Sequence, residues 1–268
     1  IADVSHYVGW GSPVDNEARQ RTCSTYLVDR VIPMLPESLC ADVCSLRPDE
    51  DRLAVSVIMR LGERGELVSA RMTRSSKARL SYDQVDAWFE KTLGAHELPC
   101  SVGWNTQVSR TLDILDEVAA QRRRLRHDRG SIDFNTKEAK VTLDEQGRPI
   151  DIIVRRRTRA TSLIEEAMLL ATECVAQLLS DAGIETAYRV HERPAPDDLK
   201  DALRTLRELG LVEGSLAGAL VTGSPAAIQE VLEDAAGTPA ELFVNTVLLR
   251  AQRRAIYLPH NDGHYALG

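Results

Sequence analysis

Hydrophobic and polar positions along this chain follow two periods, and the change from one to the other outlines its elements. Ile1 to Val8 ("IADVSHYV") is apolar from its first residue and reads as the middle of a strand. In "GWGSPVDNEARQR", Gly and Pro break the chain, and Ser12 or Asp15 caps a short helix. "DRVIPMLPESL" is apolar but irregular, because Pro33 and Pro36 hold the backbone stiff and extended. Leu53 to Leu61 is a clear strand, "GERGE" a turn, and Leu67 to Arg74 the return strand. From Ser81 the period becomes 3.6, with Tyr82, Val85, Trp88 and Phe89 on one face.

A second helix is expected from about Asn105 to His127, ended by Gly130. "AKVTLDEQGRPIDIIVRRR" reads as a hairpin turning at Gln146 and Gly147, followed by a long helix from about Ser162 to Ala182. "AYRVHE" is a short strand, and three more helices are expected near Pro196–Leu209, Pro225–Ala236 and Ala240–Ile256. There is no regular βαβ alternation. The fold class is α+β, with mixed hairpins, a helix-rich C-terminal half and a subdomain boundary near Ala160.

Composition adds limits. A hydrophobic fraction of 43% and a charged fraction of 27% are those of an ordinary soluble globular protein. No run of about 18 apolar residues is present, so no membrane partner is expected. The five cysteines have irregular spacing and no zinc-like offset, which fits reduced, mostly buried thiols and a cytoplasmic protein. The net charge of −7 disfavours a broad nucleic-acid-binding surface. The arginines are nevertheless clustered in "QRRRLRHDR" (Gln121 to Arg129) and "RRRTR" (Arg155 to Arg159). Each run reads as a solvated helix face or strand end, or as local charge in an RNA-tracking groove.

The residues alone outline no complete catalytic site, and no phosphate-cradling Gly loop, HExxH or GxSxG occurs. In "SLIEEAM" (Ser162 to Met168), Ser162 and Glu165 fit a helix-capping box. The alternative is that Glu165 faces a cleft and accepts a hydrogen bond from a substrate hydroxyl. Tyr26 lies in a stretch that is neither helix nor strand, Tyr82 ends "ARLSY" and Phe134 ends "GSIDF". Each is a core residue or part of a stacking platform for unpaired bases, and spacing leaves both open.

Taken together, "IADVSHYV", "TYLVDRVIPMLPESL", "VCSLRPDEDRLAVSV", "SKARLSY", "GSIDF", "IEEAMLLA", "YRVHERP" and "VNTVLLRAQRRAIY" resemble the ribonuclease II and ribonuclease R family of 3′-to-5′ exoribonucleases, in the family's order and over almost the whole chain. The ribonuclease R branch is the closer match. Cys40 and Ala41 depart from the Ser-Asn pair more common in the family.

The resemblance implies an RNB-type catalytic domain, of which residues 1–268 are a central part cut on both sides. It implies Mg²⁺-dependent, processive hydrolysis of single-stranded RNA to nucleoside 5′-monophosphates. It also implies that the Mg²⁺-binding aspartates lie outside this chain, so the chain alone is expected to be inactive. No residue here carries a metal role, Asp3 included. Tyr26 matches a tyrosine that stacks near the 3′-terminal nucleotide, and Phe134 matches the aromatic that clamps the other end of the base stack. Tyr82 and Glu165 match residues near the ribose that favour RNA over DNA. A different class of reading is a non-catalytic RNA-binding or regulatory relic of such a domain.

Overall fold

The computed structural model describes residues 1–47, 50–73, 80–91, 105–135, 138–155, 157–212, 214 and 216–268; Arg74, Cys100 and Arg156 lie outside them. The fold is α+β, as the patterning predicts. Among the described residues, helices are interspersed with two-stranded antiparallel ribbons. The chain divides into two compact units. The first comprises Ile1–Gly62, Leu67–Glu117 and Lys137–Ala167; the second comprises Glu63–Glu66, Val118–Thr136 and Met168–Gly268.

The expected first strand is not formed. Only Ala2 bridges to Ala54, with Asp3 N donating to Leu53 O (2.9 Å) and Val55 N to Ile1 O (2.7 Å). Val4–Tyr7 then make one helical turn, α1. The reason is visible in hindsight: Val4, Tyr7 and Val8 also stand at i, i+3 and i+4, so this short apolar run satisfies either period. Helix α2 (Pro13–Arg21) starts as expected, with Ser12 Oγ accepting from Asp15 N at 3.2 Å. Thr25–Tyr26 (β1) pair with Val31–Ile32 (β2), so Tyr26 is in a short strand after all.

Strands β3 (Ser56–Leu61) and β4 (Leu67–Thr73) form the first large hairpin; Gly65 supplies the left-handed turn residue at φ +82°. Helix α3 (Tyr82–Phe89) has a full capping box between Ser81 and Gln84. Helix α4 spans Asn105–Arg129 and ends at Gly130, whose φ of +95° lets Ser131 N return to Arg126 O at 2.9 Å. Strands β5 (Glu138–Leu143) and β6 (Pro149–Arg155) form the second hairpin. The small core of the first unit is built on Val85, Leu112 and Ala160, with Leu80, Trp88, Phe89 and Val108 packed on it.

Helix α5 runs from Arg159 to Asp181, three residues earlier than expected. Its cap is Thr158, not Ser162. Thr158 Oγ1 accepts from Thr161 N (3.2 Å), and Thr161 Oγ1 accepts from Thr158 N (2.8 Å). Asp86 Oδ1 takes a further end-of-helix donor, Ala160 N, at 2.8 Å. Ser162 is buried inside the helix and its N–H donates to Thr158 O, so the expected Ser162–Glu165 box does not exist.

In the second unit, β7 (Tyr188–Val190) is followed by α6 (Pro196–Glu208), α7 (Leu216–Val221), α8 (Pro225–Ala235), α9 (Glu241–Arg250) and β8 (Ile256–Leu258). Leu199, Leu206, Leu220, Ile228, Val244 and Leu248 are almost wholly buried at the centre of these helices. The expected helix to Ile256 stops at Arg250, because Ile256–Leu258 pair with β7 instead. The short α7 had no expectation in the patterning.

Two chemical expectations change. Arg122 and Arg126 are only 5% and 2% exposed, so this run is not wholly a solvated face, although Arg124, His127 and Arg129 are exposed. Arg122 donates to Gly65 O (3.1 Å) and Glu173 (3.2 Å), Arg126 to Asp133 (3.3 Å), and Arg129 to the other oxygen of Glu173 (3.2 Å). The thiols are not mostly buried either. Among the described cysteines, Cys23 and Cys40 are exposed and Cys44 is partly so, with Cys174 buried.

Candidate nucleic-acid interface

Three of the four expected RNA contacts lie in the first unit. Tyr26 stands opposite Val31 in the small β1–β2 ribbon, and its residue is 78% exposed. Tyr82 is the first residue of α3, fixed by the Ser81 capping box, and is half exposed. It lines an apolar cleft of about 620 Å³ with Val85, Leu112, Leu115, Leu163 and Ile164. The Asp86–Ala160 hydrogen bond ties the middle of α3 to the start of α5, and Tyr82 and Ile164 line the same cleft. Glu165 follows Ile164. Its Oε2 lies 2.9 Å from Arg157 Nη2, with both side chains about two-fifths exposed. The carboxylate is a surface acceptor with lone pairs beyond that one contact.

Phe134 lies in the second unit. Its loop is anchored on both sides: Asp133 N donates to Gln229 Oε1 (2.9 Å) and Asn135 N to Asn245 Oδ1 (2.8 Å). The ring is partly buried against the helical core. Its other side lines a cleft of about 440 Å³ shared with Arg189, Arg250, Arg253, Arg254 and His191.

Strand pairing builds this cleft. Antiparallel β7 and β8 place Arg189 opposite Tyr257, and the α9–β8 link carries Arg253 and Arg254 alongside. Buried His191 holds the link. Its Nε2 is 2.9 Å from Arg253 O, and a carbonyl only accepts, so Nε2 carries the proton. His191 and His264 also bridge, with ring centroids 4.8 Å apart. Burial, then the neighbouring His191 and Arg189, push His264 down to about 4, so it is neutral at pH 7.

These arginines were not singled out from the sequence, although both phrases that carry them, "YRVHERP" and "LLRAQRRAIY", were. The missing signal is the β7–β8 pairing, which joins positions more than sixty residues apart.

Against known proteins, residues 1–268 match the RNB domain model from end to end. The chain belongs to the RNB domain family. It is 35% identical to ribonuclease R 1 of Lactococcus lactis subsp. lactis and 37% identical to ribonuclease R of Thermotoga maritima, over its full length in both cases. Among solved structures, it is similar to Mycoplasma genitalium RNase R in complex with ribose methylated single-stranded RNA, at 31% identity and a TM-score of 0.88 over the full chain. The chain spans 32% and 37% of the two curated relatives and 41% of the solved chain.

RNB exoribonucleases generally depend on divalent metal. Among the described residues, no three His, Cys, Asp or Glu side chains gather into a metal-holding group. The described donors therefore do not fit such a site. No described helix is long and apolar enough to cross a membrane.

Proposed function

We propose that this RNB chain is the central part of the catalytic domain of a processive 3′-to-5′ exoribonuclease that hydrolyses single-stranded RNA to nucleoside 5′-monophosphates. The observation that carries this reading is likeness along all of the chain to ribonucleases R, at 35% and 37% identity for two of them. The required divalent ion is Mg²⁺, held by carboxylates of the parent protein outside this chain. The cytoplasm is where this RNA is met. A subdomain boundary near Ala160 is supported by the nearby division of the two units at Ala167 and Met168.

Within that reading each site residue has a physical task. Tyr26 offers an exposed ring on which the 3′-terminal base stacks without first being unpacked from a core. Phe134, on an anchored loop, clamps the other end of the stack. Glu165 accepts a hydrogen bond from a ribose 2′-hydroxyl, a donor that DNA lacks, and Tyr82 packs beside that sugar.

The test uses a longer chain of the same protein with a 5′-labelled single-stranded oligoribonucleotide and Mg²⁺. The expected outcome is progressive shortening from the 3′ end, while the 268-residue chain alone leaves the RNA intact. Tyr26→Ala should lengthen the final product, and Glu165→Ala, which removes the acceptor, should narrow the preference for RNA over DNA by about tenfold, the scale of one hydrogen bond to a charged group. A longer chain that binds RNA but never shortens it would overturn the enzymatic reading in favour of a non-catalytic relic.

A further inference from the structure

We propose that the cleft beside Phe134 is a subsite for nucleotide phosphates, gripped by Arg189, Arg250, Arg253 and Arg254; this rests on the RNA reading and adds to it a phosphate-binding role for four arginines.

The first support is charge pairing. Among the described residues, none of these four guanidinium groups meets a carboxylate, although the chain carries net charge −7. The arginines that looked most basic in the sequence are engaged internally: Arg122, Arg126, Arg129, Arg157 and Arg159 all pair with acids. Four like charges around one hollow repel one another, and an anion in the hollow reverses the sign of that interaction. The depressed protonation of His264, to which Arg189 contributes after burial and His191, reports the same positive field.

The second support is shape. Guanidinium groups present planar donor forks that match phosphate oxygens two at a time. The hollow, at about 440 Å³, lies within the ordinary size range of ligand sites. An aromatic ring on the wall, Phe134, adds a surface for a base, which an inorganic anion would not use. The third is rigidity. Arg189 sits in β7, and the link bearing Arg253 and Arg254 is fixed through the Arg253 carbonyl to buried His191. The backbone that carries these side chains is held in place before any ligand arrives.

The phosphate has two sources, the internal phosphodiesters of an RNA strand or the terminal phosphate of a nucleoside 5′-monophosphate. The test measures fluorescence anisotropy of a labelled single-stranded oligoribonucleotide with the 268-residue chain at several salt concentrations. The expected result is that Arg253→Ala with Arg254→Ala weakens binding about tenfold or more and flattens the logarithmic salt slope by about 1.4, two phosphates' worth for a single strand. Arg253→Lys with Arg254→Lys should keep the slope and recover part of the affinity, and Arg204→Ala, a surface residue paired with Asp201, should change neither. Uridine 5′-monophosphate as competitor separates the sources: displacement assigns the cleft to a terminal phosphate, and no displacement assigns it to the strand. Wild-type binding with an unchanged slope in the alanine pair would overturn the subsite and leave the RNA reading standing. No binding by the wild-type chain would overturn both.

Discussion

Removing Glu173 should damage this protein more than removing the buried arginine it serves. Arg122 is 5% exposed, and its charge is met by Gly65 O at 3.1 Å and by Glu173 at 3.2 Å. Glu173 is better placed to lose a partner, because its other oxygen meets Arg129 and its side chain is 31% exposed. Glu173→Ala leaves a buried guanidinium with one neutral acceptor. Orphaning one side of a fully buried pair costs about 3–5 kcal/mol, and solvent access at Glu173 reduces this to about 2–3 kcal/mol. Arg122→Met fills a similar volume and leaves Glu173 paired and partly hydrated, for a loss of about 1 kcal/mol. Urea unfolding with the slope held common reads both values. The double variant should lose less than the sum, because the same contact is removed once. Equal losses, or a larger loss for Arg122→Met, would refute the reasoning. Losses below about 0.5 kcal/mol in both would restore the solvated-face reading of the arginine run. RNA affinity should be unchanged in Arg122→Met, which separates this structural arginine from those of the Phe134 cleft.

Two further outcomes follow from the same structure. Thr158→Ala should cost about 1 kcal/mol by thermal unfolding and Ser162→Ala less, since Thr158 caps α5; the reverse order would reinstate the Ser162–Glu165 box. His264 binds its proton less readily folded, at about 4, than unfolded, at about 6.5, so its contribution to stability is complete above pH 6.5 and is lost as pH falls from there to about 4. Allowing for its partial solvent contact, that loss is on the order of 1–2 kcal/mol, and His264→Gln should flatten the pH dependence of the urea midpoint across that window.

Much of this protein is local and was therefore legible in the sequence. The hairpins at Gly65 and Gly147 follow from turn chemistry, the start of α2 from a cap at Ser12 or Asp15, the start of α3 from the change of period at Ser81, and the end of α4 from Gly130, each decided within a few residues. The eight phrases that resemble the RNB family, and with them Tyr26, Tyr82, Phe134 and Glu165 as expected contacts, were equally open to reading. What the sequence left undecided depends on partners far away in the chain. Ile1–Val8 satisfied both periods, and its pairing with residues 53–55 left only Ala2 in a β-bridge. Ser162 looked like a cap until Thr158 and Asp86 took that task, the latter from seventy-four residues away. The arginine runs advertised charge, but three arginines of one run pair within the chain with Glu173 and Asp133, two of them buried. The positive cleft beside Phe134 arises only where β7 meets β8, because strand pairing, a long-range event, decides which arginines share a space without acids.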